Sequence, residues 1–117
     1  MIVGIQGTRA FSDYNVFLRG MGRALSAMHP DDKEFIVMAV GTANINEMAM
    51  EFINITERSL KSRGIKTRVN KVPPSWAKHN IHELDFFIYF CNPKEPYSDL
   101  YELARSKDDV EDEVYRL

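Results

Sequence analysis

Three stretches of this 117-residue chain are almost purely apolar and only five to eight residues long: Ile2–Gln6, Glu34–Val40 (EFIVMAV) and Leu84–Cys91 (LDFFIYFC). Short unbroken apolar runs bounded by glycine, proline or asparagine are the mark of strands buried on both faces. Strands of that kind belong to parallel sheets covered by helices, because an antiparallel sheet with one wet face alternates instead. That constraint excludes most all-α and all-β arrangements before any other residue is read.

The segments between the runs supply the helices. From about Asp13 to Met28, with Ser12 or Asp13 as N-cap, the residues Tyr14, Phe17, Leu18, Met21, Leu25 and Met28 recur at three- and four-residue spacing. His29-Pro30-Asp31-Asp32 then forms a turn. A longer helix is expected over about Asn44–Ser62, with Ile45, Met48, Ala49, Phe52, Ile53, Thr56 and Leu60 inward and Gly64 just past its end. Ile65–Val72 (IKTRVNKV) alternates and carries Lys66, Arg68 and Lys71, which places it at a sheet edge. Pro73-Pro74-Ser75-Trp76 reads as a rigid turn, Asn92–Pro96 as an exit loop and Ser98–Ser106 as a short helix.

The order β-α-β-α-β-turn-β-α predicts an α/β fold in three layers. The sheet is expected to be parallel and four-stranded, in the order 3-2-1-4, with helices on both faces. Residues 1–106 form one domain in this reading, and 107–117 an acidic tail whose Val110, Val114 and Leu117 suit a short helix. Ligands in such sheets bind beyond the carboxyl ends of the strands, where the strand order reverses.

Composition narrows the setting. The length fits a single core. No apolar run approaches the roughly 18 residues of a membrane span, and the opening MIVGIQG goes straight into a strand with no leader pattern. The lone cysteine, Cys91, excludes an internal disulfide and fits a reducing, cytoplasmic location. Net charge is −2, yet the last ten residues hold five acids against one base, so residues 1–107 carry +2. Seven bases and no acid lie between Arg58 and Lys78. A nucleic-acid surface is one reading of that run; a helix end followed by a charged edge strand accounts for most of it.

Two strand-to-helix turns share a layout of glycine, small polar residues and helix. They are Gly7-Thr8-Arg9-Ala10-Phe11-Ser12-Asp13 and Gly41-Thr42-Ala43-Asn44-Ile45-Asn46-Glu47. Glycine lets the backbone turn sharply and approach a ligand, the following helix offers free N–H groups to an anion, and Arg9 adds a bidentate donor. Neither segment is a P-loop or a GxGxxG fingerprint.

These residues resemble the SLOG superfamily, the Rossmann-like nucleotide-binding domains related to the DNA-processing protein and the lysine-decarboxylase-like phosphoribohydrolases, and among them the small bacterial and phage members. The likeness spans about residues 1–93. It rests on the G-x-R-x-F-x-D turn at Gly7–Asp13, the second turn at Gly41–Ala49, the Pro74-Ser75-Trp76 segment and the final strand Leu84-Asp85-Phe86-Phe87-Ile88. The chain departs from the family pattern at Ile45, where a glycine is usual, and at Asn46, where an aspartate is usual. The arginine-asparagine pair that normally follows the tryptophan is missing, with Asn80 at most a remnant, and there is no PGGxGTxxE signature. The resemblance implies a minimal Rossmann-like fold holding a nucleotide or nucleotide-derived small molecule. Its binding residues would be Gly7, Thr8, Arg9, Phe11, Ser12, Asp13, Gly41, Thr42, Ala43, Asn46, Glu47, Trp76 and Asn92.

Other constellations carry less. Asp13 and Glu47 suit ribose hydroxyls or a general base, but helix capping and dipole complementation is the favoured reading of both. His79, His82 and Glu83 lack a further metal ligand, so no metal and no cofactor is expected. Cys91 in an apolar strand reads as core, and Trp76 either stacks on a base or plugs the sheet end. A non-enzymatic sensor or sequestering module leads. Behind it stand a nucleotide N-glycosidic-bond hydrolase using Glu47, and a protein-interaction module that has lost its ligand; nucleic acid ranks last. With no length for a substrate domain or a lid, size weighs against catalysis. The acidic tail and basic flank suggest a homo-oligomer, dimer or higher.

Overall fold

The computed structural model describes residues 1–116, without the side chain of Ala43. Five strands, β1 (Ile2–Gly7), β2 (Glu34–Gly41), β3 (Lys66–Val72), β4 (Phe86–Cys91) and β5 (Glu111–Arg116), alternate with four helices. The helices are α1 (Tyr14–Ser26), α2 (Ala43–Ser62), α3 (Pro74–His79) and α4 (Asp99–Arg105). All strand pairs are parallel and the order is β3-β2-β1-β4-β5. One row of neighbours, Val69-Val37-Val3-Phe86-Glu111, crosses the whole sheet. The α/β three-layer architecture and the order 3-2-1-4 stand as expected, with a fifth strand added beyond β4.

Each face of the sheet has its own core. Val3, Ile5, Val37, Ala39, Phe86, Ile88 and Phe90 pack under α1 and α2, whose Phe17, Met21, Ile45 and Phe52 meet them. Ile36, Met38, Val40, Phe87, Tyr89 and Cys91 pack on the other face under α3 and α4. Alternation along each strand divides the same apolar run between two layers, and a fully buried Phe or Ile in either contributes about 1.5–3 kcal/mol.

Local chemistry sets the helix ends. The α2 helix stops in a Schellman turn: Ile65 N donates to Leu60 O (2.9 Å) and Gly64 N to Lys61 O (2.9 Å), with Gly64 at φ +78°. At α1 the inward residues are Val16, Phe17, Gly20, Met21 and Ala24. Leu18, expected inward, is 37% exposed, and Tyr14, Leu25 and Met28 sit at the rim of the core. Gly20 explains the rotation. A Cβ there would lie 2.7 Å from the Phe90 ring, so the bare backbone rests on β4 and swings Leu18 outward. The Pro73-Pro74-Ser75-Trp76 segment is not an irregular turn: Pro74 opens α3, where a missing N–H costs nothing.

The tail reading needs correction. Residues 111–116 form a strand, not a short helix, in register with β4 from Phe86–Glu111 to Cys91–Arg116. Val114 packs on one core and its neighbour Tyr115 on the other, as period 2 requires. Tyr115 stacks on Phe90 (5.7 Å between centroids), and Arg23 of α1 pairs with Glu113 (3.4 Å) and Glu111 (3.9 Å). The domain therefore runs through β5 and does not end at residue 106. Leu117, counted into the tail stripe, lies outside the described residues.

Candidate functional site at the carboxyl ends of the strands

The chain leaves β1 toward the face of α1 and leaves β4 toward the face of α4, so the strand order reverses between these two strands. Two open depressions flank the β1–α1 turn. One, of about 510 Å³, is lined by Arg9, Gly41, Thr42 and Asn44. The other, of about 580 Å³, is lined by Ala10, Asn92, Pro93, Lys94 and Glu95.

The crevice between the two exits is bridged by the chain itself. Glu95 Oε1 accepts from the Thr8 hydroxyl (2.8 Å) and from Asn92 N (3.0 Å). Thr8 N donates to Phe90 O (3.1 Å), Ser98 Oγ to Gln6 Oε1 (2.6 Å), and the Tyr89 hydroxyl to Pro96 O (3.2 Å). A carboxylate thus fills the crevice at the strand reversal, which leaves the flanking depressions as the accessible surface.

The two helix N-termini are not equivalent. Asp13 Oδ1 accepts from Val16 N (3.1 Å), so the N-terminus of α1 already holds an anion. At α2 the N-cap is Thr42, which makes no capping bond, and its buried hydroxyl has no partner among the described residues. The first N–H groups of α2, which no turn of helix satisfies, adjoin the depression that Arg9, Gly41, Thr42 and Asn44 line. Gly41 precedes them at φ +101°, a left-handed conformation that a side chain would strain. Arg9 is exposed beside them and forms no ion pair among the described residues. Asn44 Nδ2 ties the two turns together by donating to Arg9 O (3.1 Å) and Phe11 O (3.4 Å).

Beneath this surface the packing is tight. Phe11 is fully buried and packs at a tilt against Phe90 (5.1 Å between centroids), so it anchors the turn and offers no face to a ligand. Ile45 seats on Gly7: a Cβ on Gly7 would lie 2.3 Å from Ile45 Cγ1. Among the described residues, five buried side-chain polar atoms lack a hydrogen bond. Three of them, Thr42 Oγ1, Asn46 Oδ1 and Asn92 Oδ1, belong to the second glycine turn and the β4 exit. Orphaned polar atoms are costly, and their concentration here marks this end of the sheet as the one with unspent hydrogen-bonding capacity.

The structure thus gathers Thr8, Arg9, Gly41, Thr42 and Asn92 around the β1–α1 turn, over Gly7. It gives Asp13 to a cap and Phe11 to the core. Ser12 and Glu47 are exposed, and Glu47 takes part in no hydrogen bond or ion pair of the described residues. Trp76 is half-buried in α3 and packs on the second core. The side chain of Ala43 lies outside the described residues. Cys91 is buried, and that burial pushes its thiol pKa up, against a smaller lowering by Arg116 and a further raising by Glu95. His79 and His82 are exposed, and no group of three metal-ligating side chains occurs among the described residues. Among the described residues, no helix is long and apolar enough to cross a membrane.

Asn44, Lys94 and Glu95 were not expected at the site. Placing the strand reversal between β1 and β4 points as directly to the loop Asn92–Pro96 as to Gly7–Asp13, and that signal was present in the sequence. Asn44 carried none, since its partners lie 35 and 33 residues away. No family model, curated protein or solved structure matches this chain.

Proposed function

We propose that this chain is a non-enzymatic module that binds a nucleotide or nucleotide-derived small molecule at the carboxyl ends of its strands. The phosphate would rest on the uncapped N-terminus of α2 beside Arg9, and the remainder of the ligand would cross the Thr8–Ala10 turn toward Asn92. The observation that carries this reading is the pairing of an unsatisfied helix N-terminus and an unpartnered Thr42 hydroxyl with an exposed, ion-pair-free arginine. Helix N–H groups and guanidinium are the two donor types that best hold phosphate oxygens. The resemblance to the SLOG domains supports the same ligand class. Hydrolysis of an N-glycosidic bond is disfavoured, because Glu47 is exposed and lacks the buried surroundings that would tune a catalytic carboxylate.

Thermal-shift screening should find the ligand among nucleoside mono-, di- and triphosphates, cyclic nucleotides and NAD-derived molecules. At a hundredfold excess over Kd the stabilisation is about 2.7 kcal/mol, on the order of 10 °C in Tm. Calorimetry on Arg9→Ala should then show affinity reduced about 10- to 100-fold, the loss of a charge-assisted contact. A panel that leaves Tm unmoved, or a ligand bound equally well by Arg9→Ala, refutes the proposal.

A further inference from the structure

The two edges of the sheet carry opposite charge. The β3 edge holds Lys66, Arg68 and Lys71 and no acid, while the β5 edge opens with Glu111, Asp112 and Glu113 and holds only Arg116 against them. No residue of either strand is fully buried, unlike every residue of β4. Apart from the ladder to β2, no backbone group of residues 67–72 is hydrogen-bonded within the described chain. Apart from the ladder to β4, the same holds for residues 112–116. Each edge therefore presents a row of unpaired N–H and C=O groups, which is a template for another strand.

Charge decides which strand fits. A two-fold pairing of β3 with a second β3 sets three cations against three, and β5 with β5 sets acids against acids; like charges directly opposed destabilise a strand pair. Pairing β5 with β3 brings opposite charges together on both faces. Val69 and Tyr115 mark the face of α1 and α2, and Val72 and Val114 mark the other. Alternation then puts Lys71 with Glu111 and Glu113, which Arg23 of the same copy also meets, on the first face, and Lys66 and Arg68 with Asp112 on the second, where Arg116 lies at the far end of β5.

We propose that copies of this chain associate head to tail, β5 of one copy adding in parallel to β3 of the next, so that one sheet continues through successive molecules. The contact uses two different surfaces, and such an interface closes into a ring or runs on as a filament; it does not stop at a symmetric dimer. The backbone ladder supplies the affinity and the charges set the partner and the direction.

Sedimentation velocity and light scattering across a dilution series test this at about 20 mM and about 500 mM salt, where screening lengths are roughly 20 and 4 Å. The weight-average mass at low salt should exceed twice the monomer's and rise with concentration, and high salt should lower it. Arg68→Glu/Lys71→Glu has two acidic edges and Glu111→Lys/Asp112→Lys two basic ones, so each alone should be monomeric. Mixed in equal amounts they should assemble again, because each supplies the edge the other lacks. Circular dichroism confirms that each variant is folded, and the neutral Arg68→Gln/Lys71→Gln, with weakened assembly expected, replaces a reversal that is not. A wild-type monomer at low salt, a plateau at the dimer, assembly indifferent to both variants, or a mixture that stays monomeric would each overturn the proposal.

Discussion

The contact between Gly7 and Ile45 makes a sharp test of how the two turns are held together. A methyl group added to Gly7 would sit 2.3 Å from Ile45 Cγ1 and 2.7 Å from Cδ1, with Phe90 O next at 3.7 Å. Gly7 has no left-handed φ, so Gly7→Ala costs nothing in backbone conformation and everything in overlap. Ile45 cannot yield easily, being fully buried in the first turn of α2 with a β-branched side chain confined to one helical rotamer. We expect Gly7→Ala to lose about 2–3 kcal/mol, the upper part of the range for overpacking. Ile45→Ala should lose about 3–4 kcal/mol through its cavity.

Ile45→Ala deletes both overlapping atoms, and every other atom of Ile45 lies at least 3.7 Å from the new methyl. The double variant therefore escapes the overlap and partly refills the cavity. Its loss should be about 3–4 kcal/mol where addition gives about 5–7, a coupling of about 2 kcal/mol or more. Urea unfolding followed by circular dichroism measures each corner of the cycle, with unchanged m-values as the sign that only stability moved. A total of roughly 6–18 kcal/mol, expected for a domain of this size, leaves the single variants folded. A double variant additive to within about 0.5 kcal/mol would refute the contact as the link between the turns.

The two caps should respond unequally: Asp13→Ala loses about 1 kcal/mol with its bond to Val16 N, whereas Thr42→Ala, which breaks no capping bond, loses less than about 0.5 kcal/mol in urea titrations. Cys91 should resist a thiol reagent in the folded protein and react only along the unfolding curve, since burial raises its pKa; rapid labelling under native conditions would contradict its placement. Burial, more than any neighbouring charge, also raises the phenols of Tyr14, Tyr89, Tyr101 and Tyr115 above their usual value. The unfolded chain then releases those protons first, so stability is intact below about pH 10 and falls as pH climbs through the raised folded values. Ultraviolet titration should show phenolate forming late, with the urea midpoint dropping over the same range; a midpoint flat above pH 10 would contradict this.

What could be read from the residues follows the physics of burial. The strands β1, β2 and β4 announce themselves because both faces are covered, so composition alone identifies them. The end of α2 is equally plain, because Gly64 and the Leu60–Ile65 contact are local. The strand β5 was hidden for the opposite reason. An edge strand needs little apolar area, and Glu111-Asp112-Glu113 conceals the alternation of Val114 and Tyr115 behind charge that fits a solvated tail just as well. The outward turn of Leu18 depends on Gly20 lying against Phe90, a residue 70 positions away in sequence, and no periodicity in α1 encodes it.

The placement of a phosphate turns on a choice that local pattern also could not make. Two glycine turns with nearly the same layout lead to helices of different availability. At α1, Asp13 already supplies the negative charge that the helix dipole favours, and Glu95 occupies the adjoining crevice with bonds from Thr8 and Asn92. A phosphate entering there would meet two carboxylates and would have to displace one of them. At α2 neither obstacle exists: Thr42 leaves the first N–H groups unspent, and Arg9 contributes a cation with no acid paired to it among the described residues. The difference between one satisfied cap and one unsatisfied cap is about 1 kcal/mol in stability, but for a dianionic ligand it is the difference between a repelling and an attracting pole. For the proposed ligand, the glycine turn nearer the strand reversal is therefore the scaffold, and the farther one would be the better seat for the anion.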